Sequence, residues 1–129
     1  MASDRCKREG YSAWCTSMTR ALPVSPPIRA PLFQDRFLRR AIEISARAQT
    51  TLGTEPFGAA VVRDGEIVRE GINRSALNHD PNSHGETEAL RDACRNLGTV
   101  DLRGAALYSS CEPCPLCVAA MNRAGFSGG

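Results

Sequence analysis

The chain carries Ser83-His84-Gly85-Glu86-Thr87 and, thirty positions after the histidine, Pro113-Cys114-Pro115-Leu116-Cys117. Cys114 and Cys117 are three apart, which puts both sulfurs on one side of a helical turn. They sit at that helix's N-terminal end, where the helix dipole and free amides favour thiolate. Pro113 and Pro115 are tolerated there because first-turn amides have no intrahelical carbonyl to pair with. His84, at the start of the preceding helix, completes a set of three ligands. Zinc takes nitrogen and sulfur ligands in a tetrahedron, and a catalytic zinc keeps its fourth position for water.

Two thiolates and a neutral imidazole leave a Zn²⁺ site with no net charge, so water there is less acidified than in an all-histidine site. A base beside it is needed, and Glu86, two residues past the ligand, is a neighbour of the metal without being a ligand. Each residue also has a plainer explanation. Cys114 and Cys117 could form a structural zinc knuckle, but that wants a fourth protein ligand, and the only other histidine is His79. Cys111 could fill that place, though it would close the open position. Glu86 could be an exposed first-turn carboxylate favoured by the dipole. Taken together at this spacing, the residues favour a catalytic type of metal site.

Working outward, Phe33, Phe37, Ala41, Ile44, Ala48 and Leu52 recur at helical spacing, with Gly53 as the stop. Two strands follow, Phe57–Arg63 and Glu66–Ile72, joined by Asp64-Gly65, a pair suited to a tight hairpin. A polar loop over Asn73–Ser83 leads into a second helix from near Ser83 to about Asn96, with Ala89, Leu90, Ala93 and Leu97 inward and Gly98 at its end. A third strand, Ala105–Ser109, precedes the cysteine cluster, and a last helix spans roughly Cys114–Arg123. Helices alternating with strands give the α/β class, as a three-layer α-β-α sandwich or part of one.

A length of 129 residues suits one domain, and 42% hydrophobic with 23% charged residues is a globular composition. Residues 1–31 hold two isolated cysteines, four of the eight prolines and no periodic apolar pattern. They read as a flexible leader before a domain over 32–129. A misassigned start or a targeting segment would give the same pattern. The leader carries five basic and two acidic residues, which leaves eleven basic against twelve acidic in the rest. Such a body lacks the basic footprint of a dedicated nucleic-acid binder. No run of about 18 apolar residues exists to span a membrane, and the N-terminus lacks a secretory core, so a cytoplasmic protein is expected. Three of the six cysteines crowd into residues 111–117, which suits metal better than a disulfide framework.

H-x-E followed by P-C-x-x-C is the signature of zinc deaminases, and His84-Gly85-Glu86 with Pro113-Cys114-Pro115-Leu116-Cys117 resembles it. From about Phe33 to Met121 the chain resembles the cytidine-deaminase-like superfamily, and within it the guanine, cytosine and nucleoside deaminase group. Pro56-Phe57-Gly58-Ala59, Asn73 and Asp80-Pro81 add to the resemblance. It implies zinc on His84, Cys114 and Cys117, with Glu86 moving protons. It implies base contacts from Asn73, the Gly85 amide and Phe57, although Asn73 could be a turn residue and Phe57 core.

Phe57 and Ser109-Ser110-Cys111-Glu112 look more like guanine deaminases, since tRNA adenosine deaminases typically carry Val and Leu where this chain has Phe57 and Cys111. The substrate expected is a free nucleobase or nucleoside rather than nucleic acid. A tRNA adenosine deaminase-like enzyme is the alternative. Relatives continue past the cysteine helix with two more strands in the order 2-1-3-4-5, so the third strand is expected as an edge that invites pairing, as in a homodimer. An inactive truncated relative that only binds zinc or a partner is a further alternative.

Overall fold

Asp64 and Gly65 both have positive φ, 53° and 77°, which makes the first hairpin turn type I′ and matches the twist of the strands it joins. The computed structural model describes residues 31–126, so the expected leader lies outside the described residues except for Pro31. Helix α1 (Asp35–Ala46) precedes the hairpin strands β1 (Glu55–Arg63) and β2 (Glu66–Asn73). A short helix α2 (Ser75–Asn78) leads to helix α3 (Gly85–Leu97), strand β3 (Ala106–Ser109) and helix α4 (Pro115–Ala124).

The sheet order is β2-β1-β3, with β1 antiparallel to both neighbours. β2 and β3 therefore run parallel, and α3 is the crossover between them. Alternation along the strands assigns the faces. Ala59, Val61 and Leu107 pack with Ala89 and Ala93 of α3 and with Met121 and Ala124 of α4. Val62, Ala106 and Tyr108 pack with Phe37 and Ala41 of α1. These are the three layers that the alternation of elements implied.

Three details differ from the sequence reading. The first helix stops at Ala46 and tightens into a 3₁₀ turn over Arg47–Gln49, leaving Leu52 95% exposed. Thr50 and Thr54 turn their hydroxyls back onto the carbonyls of Arg47 and Thr51, an alternative to helix that periodicity does not register. The polar loop contains α2, which ends at His79 in the left-handed region. Leu97 is 37% exposed rather than inward. Among the described residues no helix is long and apolar enough to cross a membrane.

Glycines set how closely the layers meet. A Cβ on Gly58 would stand 2.5 Å from the Ala41 carbonyl oxygen and 2.6 Å from the Ser45 nitrogen, so α1 lies directly on the β1 backbone. A Cβ on Gly71 would collide with the Gly85 carbonyl and the Ala89 amide, and one on Gly85 would stand 2.6 Å from the Phe57 carbonyl oxygen. Gly58→Ala is expected to cost about 1–3 kcal/mol through overpacking. Gly65→Asn, at an open turn position that tolerates positive φ, should stay within about 0.5 kcal/mol. Urea unfolding midpoints at unchanged slope measure both.

Candidate metal centre and its cleft

Two helix N-termini converge behind the open end of the sheet. His84 is the extended residue that caps α3, and its carbonyl accepts from the Glu88 amide at 2.9 Å. Cys114 caps α4, with Pro115 in its first turn, and its carbonyl accepts from the Val118 amide at 3.0 Å. In the capping position each side chain is thrown clear of its helix axis and toward the other. His84 Nδ1 lies 3.5 Å from both Cys114 Sγ and Cys117 Sγ, and the sulfurs are 3.6 Å apart.

Zinc–sulfur bonds of about 2.3 Å and zinc–nitrogen bonds of about 2.0–2.1 Å, set at tetrahedral angles, separate sulfur from sulfur by about 3.8 Å and sulfur from nitrogen by about 3.6 Å. The three atoms already stand at those spacings, so the residues fit zinc. Among the described residues no other side chain completes the group. Neither Cys111 nor His79 joins it, which leaves a tetrahedral ion one open position.

The thiols differ. The Cys117 amide, with that of Leu116, holds Cys114 below the usual thiol range. Burial pushes Cys117 well above it, reinforced by Cys114 and the Glu86 carboxylate. Cys117 is fully buried, and a thiolate there needs a cation beside it.

Glu86 is 4% exposed in the first turn of α3. Its Oε2 is 3.5 Å from Cys117 Sγ, and its Oε1 accepts from Ser109 Oγ at 2.7 Å. Beside this group a cleft of about 240 Å³ opens, lined by Glu55, Phe57, Asn73, His84, Glu86, Cys111, Glu112 and Cys114. Asn73 is 5% exposed, and its Oδ1 accepts from the Ser75 amide at 2.9 Å. Because a backbone amide can only donate, that bond identifies the oxygen and leaves the side-chain NH₂ as the end with donors to spare. The next residue ties the two halves of the site together, since the Arg74 amide donates to the Ser83 carbonyl at 2.9 Å, immediately before His84.

The structure thus lines one cleft with His84, Glu86, Asn73, Phe57 and Cys114, and sets the buried Cys117 beside His84 and Cys114. Gly85 lies beneath the cleft, pressed on the Phe57 carbonyl. Sequence reasoning did not assign Glu55, Glu112 or Ser109. Ser109 and Glu112 both stood in the quoted Ser109-Ser110-Cys111-Glu112 stretch without a role of their own, whereas Glu55 reaches the site through the register of β1, which no local pattern announces.

Residues 32–128 match the family described as the cytidine and deoxycytidylate deaminase zinc-binding region. The chain belongs to this zinc-binding deaminase family. It is 41% identical over 87 residues to guanine deaminase of Bacillus subtilis, covering 67% of this chain and 56% of that protein. It is 34% identical over 93 residues to tRNA-specific adenosine deaminase of Buchnera aphidicola, covering 72% and 57%. The X-ray structure of guanine deaminase from Bacillus subtilis superposes with a TM-score of 0.67 at 40% identity, covering 70% of this chain and 58% of that one. The chain therefore spans a little over half the length of these relatives. Zinc is the family's cofactor, and the His84, Cys114 and Cys117 atoms are the group that fits it.

Metal analysis of purified protein is expected to find one zinc per chain. Cys114→Ala combined with Cys117→Ala should bring it to background, whereas Cys111→Ala should retain it. Stripping the zinc with a chelator should lower the melting temperature, because the ion binds the folded arrangement.

Proposed function

We propose that this chain carries the catalytic centre of a zinc-dependent hydrolytic deaminase acting on a free nucleobase or nucleoside of the guanine or cytosine kind, with release of ammonia. His84, Cys114 and Cys117 hold the metal. Zinc supplies a Lewis acid that makes water a usable nucleophile near neutral pH. Glu86 would take one proton of the attacking water and pass it to a ring nitrogen, then carry the remaining proton of the newly added hydroxyl to the amine, which departs as ammonia as the carbonyl forms. Asn73 offers its NH₂ to an acceptor on the base, Phe57 supplies an apolar wall, and the Gly85 amide, first in α3 and without an intrahelical partner, is a further donor.

The observation that carries the substrate class is the charge of the cleft. Among the described residues its lining has three carboxylates, Glu55, Glu86 and Glu112, and neither lysine nor arginine. A phosphate brought there meets like charge and finds no guanidinium or ammonium to pair with, whereas an uncharged, amine-bearing base does not suffer this. The volume, below the roughly 300–1,000 Å³ of sites for drug-sized ligands, suits one planar ring system. A second substrate, an adenosine presented by tRNA, is favoured by the likeness to tRNA-specific relatives, 34% to 38% identical.

Ammonia release from guanine, cytosine, isocytosine, adenine and their nucleosides, beside tRNA and single-stranded DNA, tests this. Activity is expected on bases or nucleosides, and deamination of tRNA alone would reverse the assignment. Glu86→Gln should keep its zinc and lose about 10²–10⁴-fold in kcat. A fully active mutant would mean another group moves the proton.

A further inference from the structure

We infer that Ser109 is a positioning residue for Glu86, fixing which carboxylate oxygen faces the metal group. This rests on the proton-carrying role proposed for Glu86. Ser109 ends β3, opposite Ala59 in the register with β1. Successive side chains on a strand alternate, so Ser109 shares the face of Leu107, toward α3 and α4, while Tyr108 faces α1. Apolar residues fill that inward face along β1 and β3, and at its last position the strand presents a hydroxyl instead. There the first turn of α3 brings Glu86 within reach, and Ser109 Oγ donates to Oε1 at 2.7 Å.

The hydroxyl is oriented from its other side. The Cys111 amide points at Ser109 Oγ from 3.5 Å, a long contact that occupies the acceptor side and leaves the proton for Glu86. The second contact to Glu86 is Cys117 Sγ at 3.5 Å from Oε2. A thiol can donate in that contact and a thiolate cannot. Once Cys117 serves as a ligand, Ser109 is the remaining side-chain donor to Glu86 among the described residues. Oε1 stays pinned to the end of β3, and Oε2 is left with no competing donor on the side of His84, Cys114 and Cys117. A neutral hydroxyl does this with a single directed hydrogen bond to one oxygen and adds no charge to the group.

Ser109→Ala and Ser109→Val remove the donor, and Ser109→Thr keeps it in the shape of Val. With guanine as substrate, Ala and Val are expected to lose about 10- to 100-fold in kcat, the size of a hydrogen bond to a charged group, with KM within about twofold. Thr should recover most of the loss. A second readout does not depend on turnover. In ¹³C-glutamate-labelled, zinc-loaded protein, subtraction of the Glu86→Gln spectrum isolates the Glu86 carboxylate stretch, which should move in Ala and Val and stay in Thr. Zinc content and melting temperature confirm that each variant is loaded and folded. An unmoved band in loaded Ala and Val proteins, or a kcat in them equal to the parent's, overturns the role of Ser109. If the parent deaminates no base while the band still moves, it is the proposed function that fails, and the Ser109–Glu86 link stands.

Discussion

Backbone meets backbone at Gly71 and Gly85, and the placement of the site depends on that contact. With no side chain between them, the first turn of α3 lies against β2 and the Phe57 carbonyl of β1. His84 is one residue before this contact and Glu86 one after it, so the nitrogen ligand and the carboxylate take their positions from the sheet rather than from a loop. A methyl group inserted there would push both outward together, and displacement by about 1 Å at reacting groups can cost 10²-fold in rate. The bond from the Arg74 amide to the Ser83 carbonyl extends the same control to Asn73, which thereby holds a fixed distance from the metal group.

Charge explains why two helices end at the same point. Two thiolates and a carboxylate packed within a few ångströms repel one another, and burial makes that repulsion worse. The positive ends of α3 and α4 offset part of it, most visibly at Cys114, whose sulfur is served by the amides of its own first turn. Cys117, one turn deeper, is without that help and depends on the ion. A cation bound by these ligands would therefore stabilise the folded arrangement at the start of α4.

Much of this was legible from residue order. Ligand spacing, the Gly98 stop, the Asp64-Gly65 hairpin and the apolar period of α3 are local signals that lie within a few residues of their elements, whereas Gly53 does not mark the end of the first helix, which stops at Ala46. Leu52 misled because an apolar residue at helical spacing says nothing of threonine hydroxyls that compete for the carbonyls before it. Asn73 was found by resemblance, but that its oxygen is committed to the Ser75 amide depends on the chain reversing there. Cys111, a candidate ligand by proximity in sequence, is set apart by the direction the chain takes between β3 and α4. The acidic lining of the cleft combines Glu55, Glu86 and Glu112 from three different elements, so it becomes visible only when the sheet is assembled.

β3 bonds to β1 along one side, and among the described residues its other side has no strand. The Ser110 amide donates to the Gly58 carbonyl, which fixes the alternation: amides at even positions, Ala106 and Tyr108, point toward β1, and those of Leu107 and Ser109 point away. Amide exchange with solvent therefore separates the strand into two interleaved sets, one held by the hairpin and one held only by whatever lies along the outer edge. The protection of Leu107 and Ser109 is thus a direct reading of that edge, taken at the residue whose hydroxyl holds Glu86.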